Sequence, residues 1–447
     1  MQELKLKVAF ITGGTSGIGL GIAKALGSAG MRLMLTYRRE ETRREALRYF
    51  ADHPHIDVRT IRLDVTDREG MAQAARETLE VFGKVHLLCN SAAASLMGSI
   101  DLATHDDWDW IFDVNVKGVA NALVSFLPLL KSHGEGGHVM NVASMGSFIS
   151  GPIAGIYSAS KFALRGISEN LRYSLAPLGI GVSLVCPGLT RTQIYRSSLT
   201  RPGSALATAL PDAQFLERMA SIHATGMDPD EVGRRALAGL MRNEFYIFTH
   251  PEFREELRDT CSEVVESFPQ EDPGDAPRLV YEEQRRRRKA DARRAVDLLC
   301  GPSLAAFVTM PASMAIYAAS KAAVVALTES IREELARDGI GVSLLCPGPV
   351  KSRINELAQN AAHLGPSPAF LEAAKRLASR AVSPLWMEPA QVGERVLSAV
   401  RNNEAYIITH GEWREKVIAR LEAILEAMPR TADVRLSETL RAHQAQQ

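Results

Sequence analysis

Seven short runs in the first 250 residues are almost continuously apolar: 6–12, 31–37, 57–63, 84–90, 137–143, 180–186 and 244–249. Helical stretches lie between most of them, Leu20 to Ala29 among them. A strand with no polar face is buried on both sides, and the intervening helices supply the cover. The pattern predicts an α/β fold built on a doubly wound parallel sheet, with its ligand at the carboxyl ends of the strands.

The chain then repeats itself. GIYSASKFAL at 155–164 recurs as AIYAASKAAV at 315–324, and GIGVSLVCPG at 179–188 as GIGVSLLCPG at 339–348. EFYIFTHPEFRE at 244–255 recurs as EAYIITHGEWRE at 404–415, again at a shift of 160. One shift through three separated blocks is a duplication. Gly137 to Pro269 recurs as Asp297 to Pro429, and nothing in the copy corresponds to residues 1–136. The expected organisation is a complete domain at 1–269, a linker at 270–278 and a partial repeat at 279–447. The linker follows from the turn-forming, acidic stretch Gln270 to Pro277. Leu279 to Val296, rich in Arg, Glu and Ala and free of Gly and Pro, reads as a helix, with Arg285 to Lys289 as its solvated face.

Composition narrows the partners. The 447 residues carry 52 basic and 52 acidic side chains, so no net charge draws the chain to nucleic acid or an anionic membrane. A hydrophobic share of 46% with 23% charged residues argues against disorder. No apolar run approaches the roughly 18–20 residues of a membrane span. The strand-like run from Lys5 to Ile11 leaves no space for a signal peptide. Five scattered cysteines without CxxC pairing read as reduced thiols rather than disulfides or metal ligands, which implies the cytoplasm.

Candidate chemistry begins at the end of the first strand, in Thr12-Gly-Gly-Thr-Ser-Gly-Ile-Gly19. Gly13, Gly17 and Gly19 permit a tight turn and close backbone approach to a pyrophosphate. Thr15, Ser16 and Ile18 complete a cradle at a helix N-terminus. A glycine-rich turn can be merely structural, but its position after a first strand and before a helix favours the turn of a Rossmann-type dinucleotide fold. The second strand ends Leu35-Thr-Tyr-Arg-Arg-Glu40, without an acid at the place that would bind ribose hydroxyls. Arg38, with Arg39 beside it, suits a 2′-phosphate, so NADP(H) is favoured and NAD(H) stays open. Glu40 and Glu41 could instead neutralise these arginines.

Tyr157 and Lys161 stand four apart in a helical stretch and share a face. An adjacent ammonium favours a phenolate, which predicts a lowered Tyr157 pKa. Ser144 lies at the end of an apolar strand, and Asn115 follows a helical segment. In this order and spacing the motifs resemble the short-chain dehydrogenase/reductase family over residues 5–265: TGxxxGIG at Thr12 to Gly19, Leu63-Asp-Val65, Asn90-Ser-Ala-Ala93, Asn115, Ser144, the YxxxK pair, and Pro187-Gly-Leu-Thr190. The resemblance implies Tyr157 as general acid/base, Ser144 as orienter of the carbonyl, Lys161 on the nicotinamide ribose, and Asn115 holding a relay water. It also implies Asp64 and Val65 beside the adenine, Asn90 and Ala92 along the cofactor, and Pro187, Gly188 and Thr190 at the carboxamide. Where the family reads Asn-Asn-Ala-Gly, Ala93 adds a methyl beside the cofactor.

The copy keeps Ser303, Tyr317, Lys321 and Pro347-Gly348, with the Ser–Tyr spacing one residue longer. Without a glycine turn or an Asn115 counterpart it is expected to be silent. In the resembled family the Tyr–Lys helix lies in a subunit interface, so residues 279–429 are expected to imitate a partner subunit, an intramolecular pseudo-dimer. Residues 191–228 form the expected substrate lid, apolar at Tyr195, Leu199, Leu206, Leu210, Phe215 and Met219, side chains that either line a substrate site or pack the lid onto the domain; His223 could touch substrate, with a surface position the safer expectation. The expected activity is NADP(H)-dependent interconversion of a hydrophobic or aromatic ketone or aldehyde and its alcohol. NAD-linked alcohol oxidation and a silent nucleotide-sensing scaffold are the alternatives.

Overall fold

The computed structural model describes residues 3–151, 153–201, 213–268, 315–336, 340–347 and 387–409, with isolated helical positions at 283 and between 418 and 427. All seven apolar runs are strands: β1 (Val8–Thr12), β2 (Arg32–Tyr37), β3 (Val58–Arg62), β4 (Leu87–Asn90), β5 (Gly137–Val142), β6 (Ile180–Cys186) and β7 (Tyr246–Phe248). They form one sheet in the order β3-β2-β1-β4-β5-β6-β7, every pair parallel. The order reverses between β1 and β4, which opens a crevice at their carboxyl ends.

Alternation along β1 explains its apolar spelling. Val8 and Phe10 enter one layer with α3 (Arg68–Phe82), α4 (His105–Phe112), α5 (Gly118–Ser132) and α6 (Gly155–Leu175). Ala9 and Ile11 enter the other with α1 (Gly17–Ser28), α2 (Glu40–Ala51) and α8 (Pro229–Met241). α7 (Ala213–Ala224) belongs to the lid, and α9 (Arg254–Glu266) closes the domain. The stretch His105–Ser132 meets the length and mean hydropathy (1.2) of a membrane span, which the strand-by-strand reading overlooked. It runs through α4, a π-helical turn (Asp113–Lys117) and α5, and it buries Ile111, Ala122 and Phe126 in the core.

Described parts of the copy keep the local structure of their originals. β8 (Leu344–Cys346) and β9 (Tyr406–Ile408) pair in parallel with Leu344 opposite Tyr406, as Leu184 lies opposite Tyr246. Ser183 donates to Glu244 O and Ser343 to Glu404 O, each at 2.6 Å. α10 (Ala315–Leu335) packs along α6, setting Ala323 and Ala326 against Ala159, Phe162 and Ala163, and α11 (Pro389–Arg401) precedes β9. The expected linker, most of the basic helix, Ser303 and Gly348 lie outside the described residues. The four cysteines among the described residues are free thiols. Cys89, Cys186 and Cys261 are buried and Cys346 is half-buried, and burial pushes Cys89 up to about 12.

Candidate active site

A cleft of about 950 Å³ lies over the carboxyl ends of the strands. Its floor begins where β1 stops. Gly13 and Gly17 adopt φ of +63° and +51°, and a Cβ at Gly19 would stand 2.3 Å from Gly13 O, so the turn closes only with glycine there. Thr36 Oγ1 accepts from Gly13 N at 3.0 Å. Thr12 Oγ1 accepts from the N–H groups of Ser91 and Ala92 at 3.0 and 3.1 Å, tying the loop after β4 to the turn. Nothing in the sequence pattern marked Thr12 for this task. Ser16 makes no side-chain cap, and Gly17, Ile18 and Gly19 line the cleft, so the start of α1 faces it. A glycine-floored turn leading into a helix N-terminus fits a dinucleotide pyrophosphate.

Thr15, Ser16, Arg38, Arg39, Asp64, Val65 and Ala92 all line the cleft, as does Ala93. Arg38 stands 3.6 Å from Asp64 in a part-exposed ion pair, while Glu40 pairs with Arg43 and Arg44 instead. The neutralising carboxylate at Arg38 therefore comes from the end of β3, not from α2. Glu41 and Glu45 also line this end.

Asn90 faces inward. It is 3% exposed and absent from the cleft wall, because its side chain turns into the sheet and donates to Asn141 Oδ1 at 2.8 Å. Asn141 passes the contact on to Ser168 of α6. These amides stitch β4, β5 and α6 together beneath the cofactor side of the cleft.

Asn115 is likewise buried, in the π-helical turn. Its Oδ1 accepts from Ala94 N at 2.8 Å, and its Nδ2 donates to Ala94 O and to Ser160 Oγ, each at 2.9 Å. The side chain clamps the loop after β4 against α6 and is not a wall of the cleft. π-turns of this kind concentrate at functional sites.

Ser144, Tyr157 and Lys161 come together as expected and line the cleft. Ser144 caps a short turn by accepting from Gly146 N at 3.1 Å, and its hydroxyl acts on the Tyr157 phenol from nearby. Lys161, 2% exposed, donates to Val142 O at 3.1 Å and lies 5.7 Å from the Tyr157 ring centroid. Burial holds its ammonium down at about 8. The expected lowering of Tyr157 is corrected: burial pushes the phenol up, and only Ser144 opposes it. Desolvation of the phenolate outweighs the Ser144 hydroxyl that opposes it.

Pro187, Gly188 and Thr190 form the opposite wall. His250 pins them: its Nδ1 accepts from Gly188 N at 2.9 Å and its Nε2 bonds Leu189 O at 2.9 Å. Burial keeps this ring neutral, with a pKa down at about 4. In the sequence His250 served only as a repeat marker.

The lid differs from expectation. Tyr195 lines the cleft, whereas Leu199 is 41% exposed and Phe215 and Met219 lie off the wall. Leu206 and Leu210 lie outside the described residues. Of the two places expected for His223, it takes the cleft: it lines the wall, bonds Thr190 O at 3.1 Å through Nδ1, and lies 5.0 Å from the Tyr195 ring. Apolar contact comes instead from Met97, Trp110, Val114 and Ile194. In the copy, Lys321 is exposed, and Tyr317 lies within α10.

A sequence profile of the short chain dehydrogenase family matches residues 7–202 and again 302–362. The C alpha-dehydrogenase of Sphingobium sp. (strain NBRC 103272 / SYK-6) is 36% identical over 269 residues, 60% of this chain and 88% of that protein. Among solved structures, a short chain dehydrogenase/reductase from Burkholderia phymatum in complex with NAD is 31% identical, with a TM-score of 0.56 over 62% of this chain and 100% of that one. The apo form of LigO from Sphingobium sp. strain SYK-6 is 39% identical, with a TM-score of 0.51 over 59% and 90%. Cradle, Ser–Tyr–Lys group and relatives converge, and the chain belongs to the short chain dehydrogenase family of oxidoreductases.

Proposed function

We propose that this chain is an NADP(H)-dependent carbonyl reductase or alcohol dehydrogenase. One observation carries the reading: the glycine cradle, the Arg38–Arg39 end and the Ser144–Tyr157–Lys161 group line a single cleft. Residues 13–19 would hold the pyrophosphate, Arg38 and Arg39 a 2′-phosphate, Asp64 and Val65 the adenine side, and Pro187 to Thr190 the nicotinamide side. A bound nicotinamide supplies or accepts the hydride. Tyr157 gives its hydroxyl proton to the carbonyl oxygen in reduction and recovers it in oxidation. Ser144, at the end of β5 beside Tyr157, would hold the substrate oxygen there, and Lys161 stabilises the phenolate left behind. The raised Tyr157 pKa keeps the proton in place at neutral pH, the form that reduction needs. Met97, Trp110 and Ile194 suit an apolar or aromatic substrate body, with polar reach at Tyr195 and His223.

A second reading, NAD(H), draws on the Arg38–Asp64 pair, which already occupies the guanidinium, and on the NAD-bound relative. Titration of the purified chain with NADPH and NADH separates the two. One NADPH per chain with NADH much weaker is the expected result, and preference for NADH would overturn the NADP(H) assignment. Consumption of NADPH with a panel of aryl ketones then tests the activity.

The same proposal assigns 1–269 to catalysis and 279–447 to an intramolecular stand-in for a partner subunit. Support comes from α10 covering the Ala159–Phe162–Ala163 face of α6. Truncation after residue 269 is expected to give dimers or aggregates by sedimentation, and a monodisperse, fully active monomer would count against it. Free, mostly buried thiols support a cytoplasmic setting.

A further inference from the structure

Loop 145–154 joins Ser144 to the Tyr157 helix, and α10 grips it from outside the catalytic domain. Ser150 Oγ donates to Glu329 Oε2 at 3.0 Å, and the Tyr406 hydroxyl donates to Glu329 Oε1 at 2.6 Å. The next residue of α10 presses on the start of α6: a Cβ at Gly155 would stand 3.3 Å from Ser330 Cβ. On the near side, Arg165 holds the same loop by donating to Ser147 O at 3.3 Å.

Comparison with the original shows what is new. In α6, Glu169 accepts from Tyr246 at 2.7 Å and from Arg165 Nε at 2.8 Å. At the shift of 160, tyrosine and glutamate persist as Tyr406 and Glu329, but the arginine position holds Val325. The oxygen pattern of Glu329 is therefore one tyrosine, as before, and one serine of the catalytic loop. Burial raises the Glu329 carboxyl, while the Tyr406 and Ser150 bonds and the charge of Arg165 hold it down. The bond at Ser150, five residues before Gly155 and seven before Tyr157, fixes backbone that the chemistry depends on.

We propose that Glu329 is a positioning residue for the active site: the second module holds loop 145–154 through Ser150 and so sets the placement of Ser144 against Tyr157. The kinetic part of this inference rests on the oxidoreductase reading above; the structural part does not.

The test uses the full chain and hydrogen–deuterium exchange of the 145–154 amides. Ser150→Ala, which removes a single oxygen, and Glu329→Ala are each expected to speed that exchange about tenfold, and Glu329→Gln, which can still bond both hydroxyls, to restore it. Turnover should fall about tenfold in the two alanine variants and recover in the glutamine one, with nucleotide affinity unchanged because the cradle lies at the other end of the cleft. Unchanged exchange in Ser150→Ala, or loosening spread evenly over the whole chain in Glu329→Ala, would overturn the proposal. Absence of turnover in the unsubstituted chain would instead sink the enzymatic reading, and the exchange result would still decide this one.

Discussion

α6 and α10 share the spelling Ile-Tyr-x-Ala-Ser-Lys, yet Lys161 is buried against Val142 O and Lys321 is exposed. Contacts whose two partners were both copied have survived: Ser343 with Glu404 reproduces Ser183 with Glu244, and Tyr406 with Glu329 reproduces Tyr246 with Glu169. The catalytic surroundings have not, because their walls come from β1, β4 and their loops, and the copy contains nothing corresponding to residues 1–136. A motif carries its fold contacts with it. Its reactivity belongs to neighbours that must be copied too.

The sharpest way to break this comparison is paired substitution. Tyr157→Phe is expected to lower turnover by about 10²–10⁴-fold with nucleotide binding retained, the range for loss of a general acid. Tyr317→Phe should leave turnover unchanged, and steady-state assays with one ketone check both.

A smaller difference concerns acid stability. His138 in β5 is fully buried, bonds Ser183 Oγ at 2.8 Å, and is pushed by burial down to about 3. The folded state keeps it neutral while the unfolded chain takes up its proton near pH 6.5. Its contribution is fully present above pH 6.5 and is lost as pH falls toward 3, about 4–5 kcal/mol in all. The corresponding position in the copy is Leu298, which cannot titrate. Urea unfolding of His138→Asn between pH 4 and 7 should show a shallower loss of stability than the unsubstituted chain.

Smallest is the lysine pair. Lys161, held at about 8, costs stability below that pH, and the cost fades as pH rises from 8 toward 10.5. Lys161→Met should thus stabilise the fold by about 3 kcal/mol at pH 7 while abolishing turnover. Lys321→Met, at an exposed site, should do neither. Melting curves at pH 7 and 10 check the sign.

Much of the fold was legible because burial on both faces leaves a plain apolar signature, and all seven runs became strands. The Ser144–Tyr157–Lys161 group was legible because its members lie on one strand end and one helix face. The inward contacts of Asn90 and Asn115 were hidden for a common reason: whether an amide faces a cleft or the sheet depends on partners such as Asn141 and Ala94, distant in sequence. The rise at Tyr157 was hidden because burial is a property of the whole domain, whereas the lysine four residues away is visible in the spelling. His223 and His250 reach Thr190 and Leu189 only after the chain has folded back.

The α6–α10 pairing has one more consequence. In a helix that packs on its own twin across a two-fold axis, every substitution appears twice, and a change good for one side must be tolerated by the other. Here the two helices are separate stretches of one chain, so each can drift alone, as Arg165 and Val325 already show. Because both are on the same polypeptide, their encounter obeys no mass action: dilution that would split a pair of subunits leaves this contact at the same local concentration.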